Sequence, residues 1–270
     1  MRVALCQANC GADVAANERQ VFGLLDQAAE ARPDLIALPE VWPCQGSAPQ
    51  MRAAAEPLDG PRVSRLAEEA RRRSVWVQGG SVLELDGERV FNTSVLFDRQ
   101  GELVATYRKI HLFDADPPGG VPSRESFLFS AGDQVVTAET EFGRVGLTIC
   151  YDLRFPELYR QLVVQGATIL FAPAAFRHET GRDHWDVLVR ARAIEDQAFV
   201  IAAAQWGTWG PEGRERRNHG NSLVADPWGR VVARAPEGVG VTLAEVDLEE
   251  VTRVREALPA LGHRRLGPTC

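Results

Sequence analysis

The sequence predicts an α/β fold built from two packed sheets with helices on the outside. Short apolar runs of strand length alternate with segments of helical periodicity through most of the 270 residues. This alternation occurs in the first half of the chain and again in the second, which favours two similar layered halves. No low-complexity segment or Gly/Ser linker separates the halves. We therefore expect residues 1–270 to form a single domain.

The first half is expected to contain both parallel and antiparallel strands. The pattern predicts strands over 3–7, 35–38, 75–78, 81–85, 92–97 and 103–109, and helices over 15–31 and 62–74. Asp86-Gly87 and Arg99-Gln100-Gly101 have the composition of tight hairpin turns. Because such turns join neighbouring strands directly, the later strands are expected to run antiparallel.

The second half repeats this pattern. Strands are predicted over 144–149, 168–172, 199–204, 222–225, 231–235 and 241–246, and helices over 156–165, 183–197 and 248–258. Asp226-Pro227-Trp228-Gly229 predicts a turn. Residues 114–124 are rich in Pro and Gly, so they cannot form a helix or a central strand. A loop of this kind is either the wall of a site or a surface excursion.

The charge of the chain excludes some classes of partner. A net charge of −7 and a pI near 5.4 argue against a nucleic-acid-binding protein and favour small-molecule partners. The run Arg71-Arg72-Arg73 is interpreted as the solvated end of a helix rather than as a basic patch. No apolar segment reaches the ~20 residues of a membrane span, and the N-terminus lacks the apolar core of a signal peptide. We expect a cytoplasmic protein without a membrane partner.

The cysteines are expected to be reduced thiols. They form an odd set without a Cys-x-x-Cys pair, which is typical of neither a disulfide framework nor a zinc site; they are Cys6, Cys10, Cys44, Cys150 and Cys270. His178 and His184, with Glu179 or Asp183, are candidate metal ligands, but their spacing matches no His-Glu-x-x-His pattern. We expect no metal site, and His184 is interpreted as a packing and hydrogen-bonding element beside a pocket.

Polar residues at the ends of predicted strands are the candidates for chemistry. Glu40, Lys109 and Cys150 each end or follow an apolar strand, and Glu125 follows the irregular loop. A catalytic cysteine needs a base to take its proton or a cation to lower its pKa, and Glu40 and Lys109 would supply these. From the residues alone the alternatives stay open: Cys150 as a buried apolar residue, and Glu40 and Lys109 as exposed charges.

The segment after Cys150 has the features of a nucleophile elbow. Pro156 suits the first position of a helix and Glu157 its first turn, so a strand leads through a short connection into a helix. The backbone N–H after the cysteine would then face a developing oxyanion. An ion pair between Asp152 and Arg154 is expected to hold the turn. Serine-hydrolase, phosphate-loop and dinucleotide-binding signatures are absent from the sequence.

Four motifs resemble those of the nitrilase, or carbon-nitrogen hydrolase, superfamily. They occur in the family's order, and they are LPEVWP around Glu40, RKIHLFD around Lys109, RESFLFSAGD around Glu125 and GLTICYDLRFPEL around Cys150. The resemblance covers essentially the whole chain. It implies a four-layer α-β-β-α sandwich of two mixed sheets with helices outside, usually assembled as a homodimer.

The resemblance also implies a mechanism. Glu40 acts as general base, Cys150 attacks an amide carbonyl to form a thioester, and Lys109 stabilises the oxyanion together with the N–H of Tyr151. Glu125 holds Lys109 or the water that hydrolyses the thioester. No metal or organic cofactor is required. A catalytically silent interaction module with the same fold is the alternative from another class.

Further segments are similar to the amidase branch that includes omega-amidases and deaminated glutathione amidases. They are CYDLRFPEL, Thr180-Gly181, His184-Trp185, RARAIEDQ and ADPWGRVVA. This similarity implies a small carboxylate-bearing amide as substrate, with α-ketoglutaramate or an N-carbamoyl compound as alternatives. The expected substrate-binding residues are Tyr151, Arg154, Phe176 and His184. Arg154 either meets a substrate carboxylate or pairs with Asp152 or Glu157, and Arg182-Asp183 departs from the branch pattern.

Overall fold

Two six-stranded mixed sheets and two short two-stranded sheets organise the structure, a computed structural model that describes residues 1–117 and 120–266. The strands are β1 (Arg2–Gln7), β2 (Leu35–Ala37), β3 (Trp76–Asp86), β4 (Arg89–Phe97), β5 (Leu103–Arg108), β6 (Asp114–Ala115), β7 (Ser123–Arg124), β8 (Thr137–Thr140), β9 (Gly143–Leu147), β10 (Ile169–Phe171), β11 (Phe199–Ala202), β12 (Trp206–Trp209), β13 (Arg216–His219), β14 (Leu223–Ala225), β15 (Val231–Arg234) and β16 (Gly240–Glu245).

The helices begin where the sequence supplies caps. They are α1 (Val14–Glu30), α2 (Ala48–Ala53), α3 (Pro61–Arg73), α4 (Pro156–Val164), α5 (His178–Asp196) and α6 (Glu249–Ala257). Asp13 caps α1 by accepting a hydrogen bond from the Ala16 N–H, and a proline opens both α3 and α4. In the described part of the chain no helix is long and apolar enough to span a membrane.

The two large sheets have the same order of strand directions. The first runs β16-β1-β2-β3-β4-β5 and the second β8-β9-β10-β11-β14-β15. In each, three parallel strands lie at the centre, with one antiparallel strand on one side and two on the other. The predicted mixture of parallel and antiparallel strands is confirmed. The carboxyl ends of the parallel strands form an edge where loops can gather polar groups.

Alternating side chains of β1 show how the layers pack. Val3 and Leu5 belong to a core cluster that also contains residues of β9, β10 and β11, so they fill the space between the sheets. Ala4 and Cys6 belong to a second cluster with residues of α1 and α3, on the outer face. Residues of α4 and α5 pack on the far side of the second sheet. The predicted four-layer α-β-β-α sandwich is confirmed.

Several boundaries differ from the prediction for physical reasons. The strands predicted over 75–78 and 81–85 form one strand, β3, with a register shift at Gly79-Gly80. Gly80 has φ +64°, and a Cβ there would lie 2.0 Å from the carbonyl oxygen of Pro39, so the strand passes directly under the turn that carries Glu40. Helix α5 begins at His178 rather than at 183. The prediction missed α2, β8 and the β12–β13 hairpin, which are short and lack a sustained apolar period.

Candidate active site

Four of the residues singled out from the sequence meet in one cluster. The Lys109 Nζ lies 2.8 Å from Glu40 Oε1 and 2.9 Å from Glu125 Oε2. The Glu40 carboxylate lies near enough to the Cys150 thiol to raise the pKa of that thiol. Glu40 follows β2 and Lys109 follows β5 in the first sheet, whereas Cys150 follows β9 in the second. The cluster therefore forms where the strand ends of both sheets meet.

The backbone at Cys150 turns sharply. A 3-10 turn over Cys150–Arg154 separates β9 from α4, and Cys150 itself has φ +47°. Its N–H donates to the carbonyl oxygen of Pro173 at 2.9 Å. A left-handed conformation is uncommon for a residue with a Cβ and is found at functional turns. The strand, sharp turn and helix match the expected elbow, and Cys150 lines a cavity although it is only 8% exposed.

Glu40 is anchored by donors on both of its oxygens. Its Oε1 accepts from Asn92 Nδ2 at 2.9 Å as well as from Lys109, and its Oε2 accepts from the Ala175 N–H at 2.7 Å. The next residue, Val41, has φ +42°, and its N–H donates to Ser81 Oγ. The interpretation of Glu40 as an exposed charge is wrong, because it is 2% exposed and fully hydrogen-bonded.

Burial raises the pKa of the Cys150 thiol well above its usual range, and the nearby Glu40 carboxylate raises it further. The thiol is therefore protonated at neutral pH in the unliganded protein. Such a cysteine becomes a nucleophile only when a base removes its proton, and Glu40 is the carboxylate whose charge acts most strongly on this thiol.

Lys109 stays cationic although it is 1% exposed. Burial acts to lower its pKa, but the carboxylates of Glu125 and Glu40 outweigh this effect and hold the pKa well above the usual range. Its interpretation as an exposed charge is also wrong. A buried ammonium with a fixed position is suited to stabilising negative charge that develops on a substrate oxygen.

Glu125 supports Lys109 from the opposite side. Its carboxylate contacts the Lys109 ammonium and accepts from the Phe113 N–H at 2.8 Å. Burial raises the pKa of Glu125, and the Lys109 charge works against this rise. The ammonium is thus held between two carboxylates, and one of them, Glu40, also raises the pKa of the Cys150 thiol.

Asp152 holds the turn, but its expected ion pair with Arg154 is wrong. The buried carboxylate accepts from the Ile149 N–H at 2.8 Å and from the Tyr107 hydroxyl at 2.8 Å, and it lies 2.7 Å from His111 Nδ1. Asp152 points into the core beneath the turn, whereas Arg154 points to the cavity. Within the described residues Arg154 forms no ion pair with Asp152 or Glu157.

The cluster opens into a cavity of about 470 Å³. Its wall includes Tyr151, Arg154 and Phe176. The Arg154 guanidinium carbon lies 5.7 Å from the centre of the Tyr151 ring and 5.2 Å from that of the Phe176 ring. His184 is not on the wall among the described residues, and its Nδ1 lies 3.3 Å from Arg154 Nη1. The Arg182-Asp183 pair is exposed and forms its own ion pair outside the cavity.

Other lining residues were not anticipated. Pro122, Ser123 and Arg124 come from the irregular loop, so its interpretation as a site wall is confirmed for the residues that are described; 118 and 119 lie outside them. Arg177, Trp209 and Arg216 also line the cavity, and Asn92 contacts Glu40 from β4. A polar Asn at the start of the strand predicted over 92–97 was the one sequence signal for Asn92.

The histidines do not form a metal site in the described part of the chain. His178 lies beside His219, with ring centres 5.6 Å apart, and the described residues contain no group of three or more His, Cys, Asp and Glu side chains arranged to hold a metal ion.

Comparison with known proteins identifies the family to which the chain belongs. A sequence model of the carbon-nitrogen hydrolases matches residues 2–256. The chain therefore belongs to the carbon-nitrogen hydrolase family, within the nitrilase superfamily, and it is an amidase of that class.

Several individual proteins are similar to this chain in sequence or in structure. The deaminated glutathione amidase of Bos taurus is 40% identical over 97% of this chain and 81% of its own length. The crystal structure of Saccharomyces cerevisiae Nit3, a member of branch 10 of the nitrilase superfamily, has a TM-score of 0.87 at 32% identity over 98% of this chain and 97% of that one. An amidase mutant from Nesterenkonia sp. AN1, solved after Michael addition of acrylamide at its active-site cysteine, has a TM-score of 0.75 at 26% identity, covering 96% and 98%.

Proposed function

We propose that this enzyme hydrolyses a small carboxylate-bearing amide, similar to deaminated glutathione, through a thioester on Cys150. The observation that carries the proposal is the buried cluster of Glu40, Lys109 and Cys150 opening into a cavity with arginines on its wall. The cluster combines a protonated thiol, a nearby carboxylate that can take its proton and a fixed cation, which together are sufficient for acyl transfer.

The first half of the reaction breaks the C–N bond. Glu40 takes the thiol proton as the Cys150 sulfur attacks the amide carbonyl carbon, and the carbonyl oxygen becomes an oxyanion. Lys109 and the N–H of Tyr151 stabilise that oxyanion. Glu40 then returns the proton to the amide nitrogen, the C–N bond breaks, and ammonia leaves from a primary amide, or an amine from a substituted one.

The second half releases the acid. Glu40 takes a proton from a water molecule that attacks the thioester carbonyl, and Lys109 again stabilises the oxyanion. The C–S bond breaks, the sulfur recovers its proton and the carboxylic acid leaves. Glu125 keeps the Lys109 ammonium in place through both steps, in line with its 2.9 Å contact.

The substrate class is supported by the cavity and by the relatives. Arg154 lies on the wall without a carboxylate partner among the described residues, so its guanidinium is available to bind a substrate carboxylate with two hydrogen bonds. That guanidinium is oriented by the rings of Tyr151 and Phe176 and by the imidazole of His184, which it contacts directly. The deaminated glutathione amidases among the relatives favour this compound over α-ketoglutaramate.

We also propose that residues 1–270 act as one domain and that the enzyme works in the cytoplasm as a homodimer without a metal or organic cofactor.

An exposed apolar patch is a candidate for the dimer interface. Its residues Val187, Ile194 and Trp228 are exposed by 63%, 49% and 49%, and Ile194 packs against Gly229 beside Trp228. Such a patch suits a partner subunit. Light scattering should give a dimer, and Ile194→Lys should shift it towards the monomer.

A substrate panel tests the proposal. Purified enzyme is incubated with deaminated glutathione, α-ketoglutaramate, other amides, nitriles and N-carbamoyl compounds, and release of ammonia or amine is measured beside a Cys150→Ala control. We expect Cys150-dependent hydrolysis that is fastest with deaminated glutathione. Activity on nitriles without activity on amides would contradict it, and inactivity on the whole panel would favour the silent interaction module.

A further inference from the structure

Two arginines on the cavity wall lie around one indole ring. The Arg177 guanidinium carbon is 5.2 Å from the centre of the Trp209 ring and that of Arg216 is 5.4 Å from it. Arg177 directly follows Phe176 on the cavity wall, and Arg216 begins β13, which pairs with the strand that ends at Trp209. The indole fixes both cations at the same part of the wall.

Arg177 is as buried as the arginines that support the fold, but its charge is not balanced in the same way. Arg62 pairs with Glu18 and Glu56, and Arg192 pairs with Glu195. Arg177 is 8% exposed, and among the residues that the structure describes its guanidinium forms no ion pair and no hydrogen bond. A guanidinium that faces a cavity and has no partner from the protein is available to a ligand, so the position of Arg177 on the wall points to a ligand of opposite charge.

The surrounding charges favour an anion at this position. Burial, together with the neighbouring Arg216, lowers the pKa of Arg177 to about 10, which still leaves Arg177 cationic at neutral pH. Burial also lowers the pKa of Arg216. Arg216 Nη2 donates only to the carbonyl oxygen of Pro122, at 3.2 Å, within the described chain. Glu179 and Glu125 lie within electrostatic range of Arg177, but neither forms an ion pair with it. Arg124 differs, because it is exposed and paired with Asp116.

We propose that Arg177 and Arg216, held against Trp209, form a carboxylate subsite separate from Arg154, so that the preferred amide carries two carboxylates. The inference rests on the proposed function and adds to it the residues that receive the second carboxylate. A guanidinium presents a planar pair of donors that matches a carboxylate, and two guanidinia on one ring bind it more tightly than a single exposed cation.

Binding to an inactive enzyme tests the subsite without relying on turnover. The Cys150→Ala protein is titrated by calorimetry with deaminated glutathione, which carries a carboxylate at each end, and with two analogues in which one or the other carboxylate is replaced by a carboxamide. Arg177→Met should weaken binding of the parent compound about 10- to 100-fold. It should leave the affinity for one of the two analogues unchanged, because that analogue already lacks the carboxylate that Arg177 binds.

Matched variants control for charge and folding. Arg214→Met removes an exposed cation from the β12–β13 connection, two residues before Arg216 and outside the cavity wall. It should change the affinity for neither the parent compound nor the two analogues. Arg177→Lys should recover part of the lost affinity for the parent compound. Arg216→Met should weaken binding of the parent compound by a smaller factor than Arg177→Met. It should leave unchanged the affinity for the same analogue that Arg177→Met spares.

The outcomes separate this inference from the proposed function. Equal losses for the parent and both analogues, no loss at all, or failure of the Cys150→Ala protein to bind the parent compound would overturn the subsite. Hydrolysis that depends on Cys150 but not on Arg177 would overturn it and leave the amidase proposal intact. Carboxylate-selective binding through Arg177 in an enzyme that cleaves no member of the amide panel would support the subsite and contradict the proposed reaction.

Discussion

Cys10 and Cys150 occupy matching places in the two sheets. Each is the third residue after a parallel strand that lies beside an antiparallel edge strand, β1 for Cys10 and β9 for Cys150. Cys10 is fully buried, its N–H donates to Gln205 Oε1, and burial raises its pKa to about 12. Cys150 has a left-handed backbone, a carboxylate near enough to raise the pKa of its thiol, and a position on the cavity wall. Since the two cysteines share a position after a strand, we propose that the turn and the neighbouring carboxylate are what make Cys150 the reactive one.

Replacing the two cysteines gives the largest contrast. Cys150→Ala should lower kcat/KM for the best amide at least about 1000-fold, because the covalent route is lost. Cys10→Ala should keep wild-type kinetics and lower the free energy of unfolding by about 1 kcal/mol, through the lost packing of one small buried group. Steady-state kinetics and urea unfolding measure both effects. Comparable losses of activity in the two variants would show that the cavity and the carboxylate do not distinguish them.

Replacing Glu40 tests whether this carboxylate removes the proton of the Cys150 thiol. Glu40→Gln keeps the shape of the side chain and the acceptor for the Ala175 N–H, but it cannot take the thiol proton. We expect kcat/KM to fall about 100- to 10,000-fold with an unchanged far-UV circular dichroism spectrum. An activity within twofold of wild type would mean that another group removes the proton.

Thiol modification shows the same contrast as a pH dependence. Because the raised pKa keeps Cys150 protonated at neutral pH, its alkylation by iodoacetamide should be slow at pH 7 and should accelerate as the pH rises beyond the usual thiol pKa of about 8.5. Cys10 should stay unmodified at every pH where the fold persists, since it has no exposure. Peptide mapping by mass spectrometry measures both rates. Fast alkylation of Cys150 at pH 6 would indicate a preformed thiolate instead.

The support beneath the turn should give the smallest effect. Tyr107→Phe removes one of the donors to Asp152 and should lower the free energy of unfolding by about 1 kcal/mol. Activity should fall by less than the loss from Glu40→Gln, because the Ile149 N–H and His111 still hold the carboxylate. Urea unfolding and kinetics on the same samples check this. A loss of activity as large as that of Glu40→Gln would place Tyr107 in the reaction itself.

The sequence predicted the layers and the main strands, because short apolar runs of strand length alternate with segments of helical periodicity in both halves. The three motif residues came together as expected, although Cys150 had a credible interpretation as filler until the resemblance was considered. The partner of Asp152 was missed, because the nearest arginine in sequence was assumed and the true partners, Tyr107 and His111, are 45 and 41 residues away. Arg177 and Arg216 were missed for the same reason, since they meet only across the folded Trp209 hairpin.

Trapping the acyl-enzyme tests directly whether Cys150 is the nucleophile. Enzyme mixed with deaminated glutathione is quenched in acid within milliseconds to seconds, digested and mapped by mass spectrometry. We expect an acyl adduct on the peptide that contains Cys150, removed by hydroxylamine as a thioester would be, and none on the peptide that contains Cys10. Turnover with no adduct at Cys150 at any quench time, or an adduct on another residue, would contradict the assignment of Cys150 as the nucleophile.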